Sequence, residues 1–358
     1  MSSSLNLGNL NISIFGESHG NGIGVVIDGL PGGREIDFER VLDFMARRAP
    51  KKDGISTRRN EKDYPEIMSG YLNGKTTGTP LCAVIKNTDQ HSKDYGNIAT
   101  VARPGHADYT GAMRYNGAND IRGGGHFSGR ITAPLVFAGA VCGQILEQEG
   151  IFSGAHILSI GDVYDDKFDS LKLDRNTLEA VKVKDFPLIN SDKEQAMKAA
   201  VKTASEKLDS IGGRIECAVI GLKAGVGSPM FDGIENRIAQ IVFGIPAVKG
   251  IEFGAGFNFA DMCGSEANDC FTTDGNEIKT LTNNNGGILG GISNGMPVIF
   301  TAAIKPTPSI AQPQQTVDYI KMENTVLEIK GRHDACIVPR AVPVVEAAAN
   351  IAILSFLI

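Results

Sequence analysis

Four histidines of this chain stand in glycine-flanked loops: His19 in FGESHG, His106 in RPGHADYTG, His126 in RGGGHFSGR and His333 in GRHDACIVPR. The last three also have arginine close by. Imidazole gives or takes a proton near neutral pH, and guanidinium offers a rigid fork of donors to carboxylate or phosphate. A lone loop histidine carries little weight, but four together point to acid–base chemistry. The arginines point the same way. The segment RRAPKKDGISTRR gathers Arg47, Arg48, Lys51, Lys52, Arg58 and Arg59 in a chain of net charge -6. Arg103, Arg122, Arg130, Arg332 and Arg340 flank the histidine loops. A charged run is ordinarily a solvated face, but a pocket focused on an anion accounts for both sets. A small polyanion is therefore the expected ligand.

The glycine-rich pieces suggest a second ligand. Gly123, Gly124 and Gly125 in RGGGHFSGR, like the run NNNGGILGGISNGMP, let a backbone approach a flat ring or a phosphate. No G-K-[ST] of a phosphate-binding loop follows, and GNGIG lacks the strand–helix–strand context of a dinucleotide fingerprint. Neither H-x-x-x-H nor H-E-x-x-H occurs, so no metal site is expected. From the residues alone, a flavin- or nicotinamide-dependent oxidoreductase and a non-catalytic anion-binding module both stay open.

The elements that must position these loops are legible in part. Leu10, Ile12 and Ile14 alternate with polar residues, which predicts a strand that ends where Glu17, Ser18 and His19 begin. TAPLVFAGAVCGQILEQEG predicts a helix capped by Thr132, with Pro134 in its first turn and Gly150 as its stop. A second helix opens on a capping box from Ser191 to Glu194 and carries Met197, Val201, Ala204 and Leu208 on one face. Gly212 and Gly213 end it, and RIECAVIGL follows as a strand apolar on both faces. The C-terminal AVPVVEAAANIAILSFLI is the long apolar stretch, broken by Glu346 and Asn350 before the ~18 uncharged residues a membrane span needs. It predicts a buried helix opened by Pro343.

At 358 residues and 42% hydrophobic the chain can bury a large core. With 43 glycines and no tryptophan it suits a loop-rich α/β or α+β enzyme rather than a repeat or fibrous protein, and strands covered by helices without regular βαβ spacing point to α+β. The negative balance argues against a nucleic-acid binder. The six cysteines form no C-x-x-C pair and lie mostly in apolar runs, which suits reduced thiols in the cytoplasm. The N-terminal MSSSLNLGN has no signal-peptide pattern. No repeat or linker divides the chain, so one domain over residues 1–358 is expected.

Seven motifs, FGESHG, RPGHADYTG, RGGGHFSGR, DSIGG, GSEAND, GGILGGISNG and GRHDACIVPRAVP, stand in the order seen in chorismate synthases. The chain resembles that family from about Ile14 to Ala347, most thinly between Ile151 and Asp192. The resemblance implies a β-α-β sandwich and a soluble homotetramer, with no membrane partner. It also implies anti-1,4-elimination of phosphate from 5-enolpyruvylshikimate 3-phosphate to give chorismate, the last step of the shikimate pathway. Reduced FMN is needed although no net redox change occurs. By the same resemblance His19 protonates the departing phosphate with Ser18 beside it, His106 gives a proton to the reduced ring, and Asp334 helps to take up the substrate proton. Arg48 matches a family arginine, and Arg47, Arg103, Arg130 and Arg340 join it as substrate partners. FMN would be held by His126, Phe127, Ser128, Pro246, Ala247, Gly290, the run Lys305, Pro306, Thr307, Pro308 and Ser309, and Arg332. His126-Phe127-Ser128 replaces the commoner Arg-Ser-Ser, which makes one cationic contact weaker and pH-dependent. An arginine found in the family near Gly54 is absent, which weakens any NADP-binding assignment there. The lack of long insertions favours an outside flavin reductase over NADPH-driven reduction by the chain itself.

Overall fold

Two five-stranded antiparallel sheets enclose a layer of helices in this computed structural model, which describes residues 3–50, 63–88, 100–329 and 334–358. The first sheet comprises β1 (Ser4–Leu7), β2 (Leu10–Gly16), β3 (Gly22–Asp28), β4 (Pro65–Ser69) and β5 (Leu81–Lys86), in the order β1-β2-β3-β5-β4. The second comprises β6 (Phe152–Ile160), β7 (Val163–Tyr164), β8 (Gly213–Ile220), β9 (Val248–Phe253) and β10 (Val298–Ile304), in the order β9-β10-β8-β6-β7. Helices α1 (Phe38–Ala46), α2 (Asp108–Arg114), α3 (Thr132–Gln148), α4 (Arg175–Lys182), α5 (Glu194–Glu206), α6 (Ile234–Val242) and α7 (Val338–Leu354) complete the frame. Helix α3 packs on β3 and β5, α7 packs on β6 and β8, and the two helices pack on each other. This is the expected α+β sandwich.

The alternation in Leu10, Ile12 and Ile14 does form a strand, with Leu10 and Ile12 buried. The strand read as apolar on both faces is β8, flanked by β6 and β10, and its residues Ile215 to Val219 are buried. Helix α3 is apolar all round, as a helix covered on every side must be. With its lead-in it is long enough to cross a membrane by length and composition, yet it lies buried between the sheets. The two central helices meet closely because α3 offers glycines. A Cβ on Gly139 would come within 2.2 Å of Ala347, and Asn350 Nδ2 donates to the Gly139 carbonyl at 3.1 Å.

Several helix ends differ from the sequence reading. Thr132 is not a cap: its hydroxyl donates to the Gly129 carbonyl at 2.7 Å, and a short 3₁₀ turn capped by Ser128 precedes the helix. Ahead of α5 the capping side chain is Asn190, which accepts from the Asp192 amide at 3.1 Å. Glu194 bonds Lys198 at 2.5 Å rather than reaching back to Ser191. Met197 and Val201 are buried, but Leu208 lies beyond the helix and is exposed. Helix α7 begins at Val338 with Pro339 in its first turn; Pro343 sits one turn inside, where it cannot donate to the Pro339 carbonyl. Glu346 is fully buried in α7 and is answered by Arg47 at 2.8 Å and Lys182 at 3.4 Å.

The segment of thinnest resemblance is fastened by a buried histidine. His156 on β6 presents Nε2 to Glu216 at 3.0 Å and Nδ1 to Asp165 at 3.2 Å, with the Phe168 ring 4.6 Å away. Burial opposes its charge, but the two carboxylates outweigh burial and raise the His156 pKa above its ordinary value. An imidazolium favoured by folding stabilises fully below the unfolded-state value near 6.5, and its contribution fades as pH rises through the raised folded value. As pH rises from 6.5 the parent protein should therefore lose more thermal stability than His156→Gln. Melting curves that fall in parallel over that rise would refute the fastening.

Candidate active site

One loop brings two of the singled-out histidines together. In the triple glycine Gly123, Gly124 and Gly125 take φ of +59°, +85° and +53°, the left-handed region that side chains avoid. A Cβ on Gly123 would fall 2.1 Å from the His19 ring and 3.0 Å from Ser18 Oγ. A Cβ on Gly124 would fall 3.2 Å from His106 Cε1 and Nε2. Adjacent bare positions thus hold His19, from the turn after β2, and His106, from the turn before α2. The Ser18 amide donates to the Gly125 carbonyl at 3.1 Å, which ties the first turn to the loop. Ser18 and His19 are 1% and 2% exposed, so this contact is sealed from bulk water.

Gly123 and His106 open onto a cavity of about 1120 Å³. Arg48, Arg103, Arg130, Arg340, His126, Phe127, Ser128, Pro246, Ala247, Lys305, Thr307, Pro308, Ser309 and Asp334 also line it. Arg332 and His333 lie outside the described residues, as do Lys51, Lys52, Gly54, Arg58 and Arg59. Ser18 and His19 are not lining residues themselves but lie against Gly123, which is, and three further expected contacts fall elsewhere. Arg47 pairs with buried Glu346, because neighbouring residues at a helix end point apart and only Arg48 can face the cavity. Gly290 turns the hairpin Ile288–Leu289 to Ile292–Ser293, with open space where its side chain would be. Pro306 backs the cavity wall and faces Gly212 instead.

Arg48, Arg130 and Arg340 form the cationic wall. Asp63, only 4% exposed at its side chain, bridges Arg48 and Arg130. Burial would raise the Asp63 carboxyl, but the two guanidiniums hold it below the usual carboxylate range. Burial also pulls the Arg48 guanidinium below its ordinary value, with Arg340 and Arg130 adding repulsion against the pull of Asp63. Arg340 donates to Asp334 Oδ2 at 2.5 Å and to the Arg48 carbonyl at 3.1 Å. Three cations against two carboxylates leave a wall that an anionic ligand relieves. Asn87 joins this wall to the acid–base loop: it accepts from Arg130 Nε at 3.1 Å and donates to the Glu17 and Gly20 carbonyls at 2.9 and 2.8 Å.

The turn itself explains Glu17. Burial and the neighbouring Asp120 carboxylate raise its carboxyl above the ordinary value, while Asp120 is held low chiefly by Arg122. Glu17 therefore steadies the residues that lead into the triple glycine. His126 has both ring nitrogens engaged: Nδ1 donates to the Gly16 carbonyl at 2.7 Å and Nε2 shares a hydrogen bond with Ser3 Oγ at 2.6 Å. It clamps the start of β1 and the end of β2 to the loop, so both nitrogens are spent on the protein's own groups where an arginine would offer a cationic contact. Around His106, Asp108 gathers Arg103 Nε and Nη2, each at 2.7 Å, and His106 Nδ1 at 2.7 Å. Arg103 thus keeps Nη1 for the cavity side, 3.4 Å from Ser309 Oγ.

Asp63, Asn87 and Asp108 were not among the residues singled out from sequence. Asp108 stood two positions after His106, inside a quoted motif. Asp63 and Asn87 had no local signal, because the guanidiniums that they hold come from 15 and 43 positions away.

A flavin-sized ring system fits the cavity in two respects. Ligand sites run to ~300–1000 Å³, so 1120 Å³ has room for a ring system and a small polyanion together. Gly129 lines the cavity with nothing within 4 Å of its missing side chain, and Ala247, which also lines it, holds the strained φ of +74°. Among the described residues no cluster suited to a metal ion occurs.

A family model described as chorismate synthase matches residues 10–358. A chorismate synthase of Dehalococcoides mccartyi is 46% identical over 336 residues, covering 94% of this chain and 91% of its own. One from Lachnoclostridium phytofermentans is 46% identical over 350 residues, covering 97% and 93%. One from Thermococcus kodakarensis is 43% identical over 339 residues, covering 95% and 93%. A crystal structure of chorismate synthase superposes with a TM-score of 0.77 at 29% identity, over 98% of this chain and 92% of the other.

Proposed function

The chain belongs to the chorismate synthase family, and from that premise we propose how its residues divide the work. It is a carbon–oxygen lyase: it releases phosphate from 5-enolpyruvylshikimate 3-phosphate by anti-1,4-elimination and leaves chorismate. The observation that supports the assignment of roles is the triple-glycine loop, which sets His19 and His106 on adjacent bare positions beside an arginine wall.

Arg48, Arg130 and Arg340 bind the carboxylates and phosphate of the substrate, with Arg103 contributing Nη1. Arg47 is left out of this set. His19 gives its proton to the departing phosphate oxygen from a pocket sealed by Ser18 and Gly123. Asp334, oriented by Arg340, receives a proton at its carboxylate. The flavin of this family is here reduced FMN, which supplies the electron density that lets an unactivated C–H bond break with no net redox change. Phe127, Ser128, Pro246, Ala247, Thr307, Pro308 and Ser309, which line the cavity, would hold it, and Lys305 would offer it a charge-assisted hydrogen bond. The chain works in the cytoplasm as a single-domain subunit of a homotetramer. An outside reductase supplies the electrons.

Anaerobic phosphate release from 5-enolpyruvylshikimate 3-phosphate tests this reading. Release is expected with catalytic amounts of reduced FMN and none without it. No release under either condition would sink the assignment of roles. With oxidised FMN and NADPH but no other reductase, turnover should be absent; sustained turnover would place the reductase activity in the chain itself.

A further inference from the structure

We propose that Asp108 is a positioning residue that locks His106 as the Nδ1–H tautomer and leaves Nε2 as the only ring atom that exchanges a proton with the cavity. This role deepens the proposed function and rests on His106 being the imidazole beside the cofactor.

The hydrogen-bond inventory of one carboxylate carries the argument. Asp108 Oδ2 accepts from the Arg103 amide at 3.0 Å and Arg103 Nε at 2.7 Å; Oδ1 accepts from Arg103 Nη2 and His106 Nδ1, both at 2.7 Å. The group is 7% exposed, and an ionised carboxylate can only accept. Burial would raise the Asp108 carboxyl, but its bonds to Arg103 and His106 hold it far below the usual carboxylate range. The proton between Asp108 and His106 therefore sits on Nδ1. A bare Nδ1 would instead set its lone pair against the oxygen lone pairs at 2.7 Å. Arg103 Nη2 also lies 3.0 Å from Nδ1. Guanidinium has no acceptor; one Nη2 hydrogen serves Oδ1 at 2.7 Å, and the shorter Nδ1–Oδ1 contact, which needs a hydrogen on Nδ1, leaves that nitrogen no lone pair for the other, so Arg103 fixes the carboxylate rather than competing for the imidazole.

Nε2 is then the atom with a lone pair. It makes no hydrogen bond among the described residues, His106 lines the cavity, and bare Gly124 leaves room at the Cε1–Nε2 edge. Nε2 takes a proton from an acidic group in the cavity, the ring becomes an imidazolium whose charge faces Asp108, and the same N–H returns the proton. No electrons move in this exchange, and the histidine ends as it began.

Nitrogen-15 spectra of the full chain with labelled histidine, recorded with and without FMN, test the proposal directly. His106 should show Nδ1–H in the parent. In Asp108→Asn the amide oxygen turns to Arg103 and the NH2 faces His106, so the tautomer should invert to Nε2–H. Turnover should fall by up to ~10⁴-fold, the scale seen when the same exchange imposes the wrong tautomer on a serine-protease histidine. The KM for substrate should stay within a few-fold, and Asp108→Glu should recover the Nδ1–H tautomer and part of the rate. An Nε2–H signal for His106 in the parent overturns the proposal even if the asparagine variant fails to fold. So does an asparagine variant with unchanged tautomer or turnover. Absence of phosphate release by the parent would instead overturn the functional reading, and the tautomer spectra stay interpretable without it.

Discussion

His19→Ala should lower turnover by ~10²–10⁴-fold, the range typical of a lost general acid, with FMN affinity changed little. The expectation rests on where the ring lies. His19 is 2% exposed and sits against the bare Cα of Gly123, which itself lines the cavity. Its turn is held by Asn87 through the Glu17 and Gly20 carbonyls, so truncating the ring leaves the backbone in place. Solvent water is a poor substitute donor in a site this enclosed. The elimination creates charge on a phosphate oxygen, and the Arg48–Asp63–Arg130 group can neutralise that charge but cannot supply the proton. The variant should therefore bind substrate and fail in the chemical step. Anaerobic steady-state kinetics give kcat and KM, and flavin titration gives cofactor affinity. Turnover within a few-fold of the parent would rule out the acid role.

The sequence carried the frame and the motif loops further than the partners within them. Period-two alternation revealed β2, and the double-faced apolar run revealed β8, because burial pattern is a local property of a strand. Helix ends were less legible. Thr132 and Ser191 have the right chemistry for caps, but Ser128, one turn upstream, and Asn190, the residue before Ser191, start short turns first and take that role. The pair Arg47 and Arg48 looked like one cationic patch. In the fold one guanidinium crosses to Glu346, buried within α7, while the other enters the cavity. No spacing rule announces that split, because Glu346 lies about 300 residues downstream and looked like a mere interruption of an apolar run. Gly290 looked like the glycines of the 123–125 loop, yet composition cannot tell a hairpin tip from a ligand cradle. The triple glycine became specific only when the residues facing it were known to be histidines from two other segments.

That loop makes the second large prediction. Gly123→Ala should lower turnover by ~10²-fold, since displacing a reacting group by about 1 Å costs that much. The new methyl would lie 2.1 Å from the His19 ring, closer than atoms can approach, so the ring must move away from the cavity. The residue also holds φ of +59°, which costs an alanine about 1–2 kcal/mol of stability. These two effects separate in the double variant. With His19 already alanine there is no ring to displace, and adding Gly123→Ala should leave turnover near that of His19→Ala alone, while the loss of thermal stability from left-handed strain persists. Residues that act through one contact are non-additive in this way, whereas independent sites multiply. If the two losses in turnover multiply in full, Gly123 does not act by seating His19, and the loop has some other claim on the reaction.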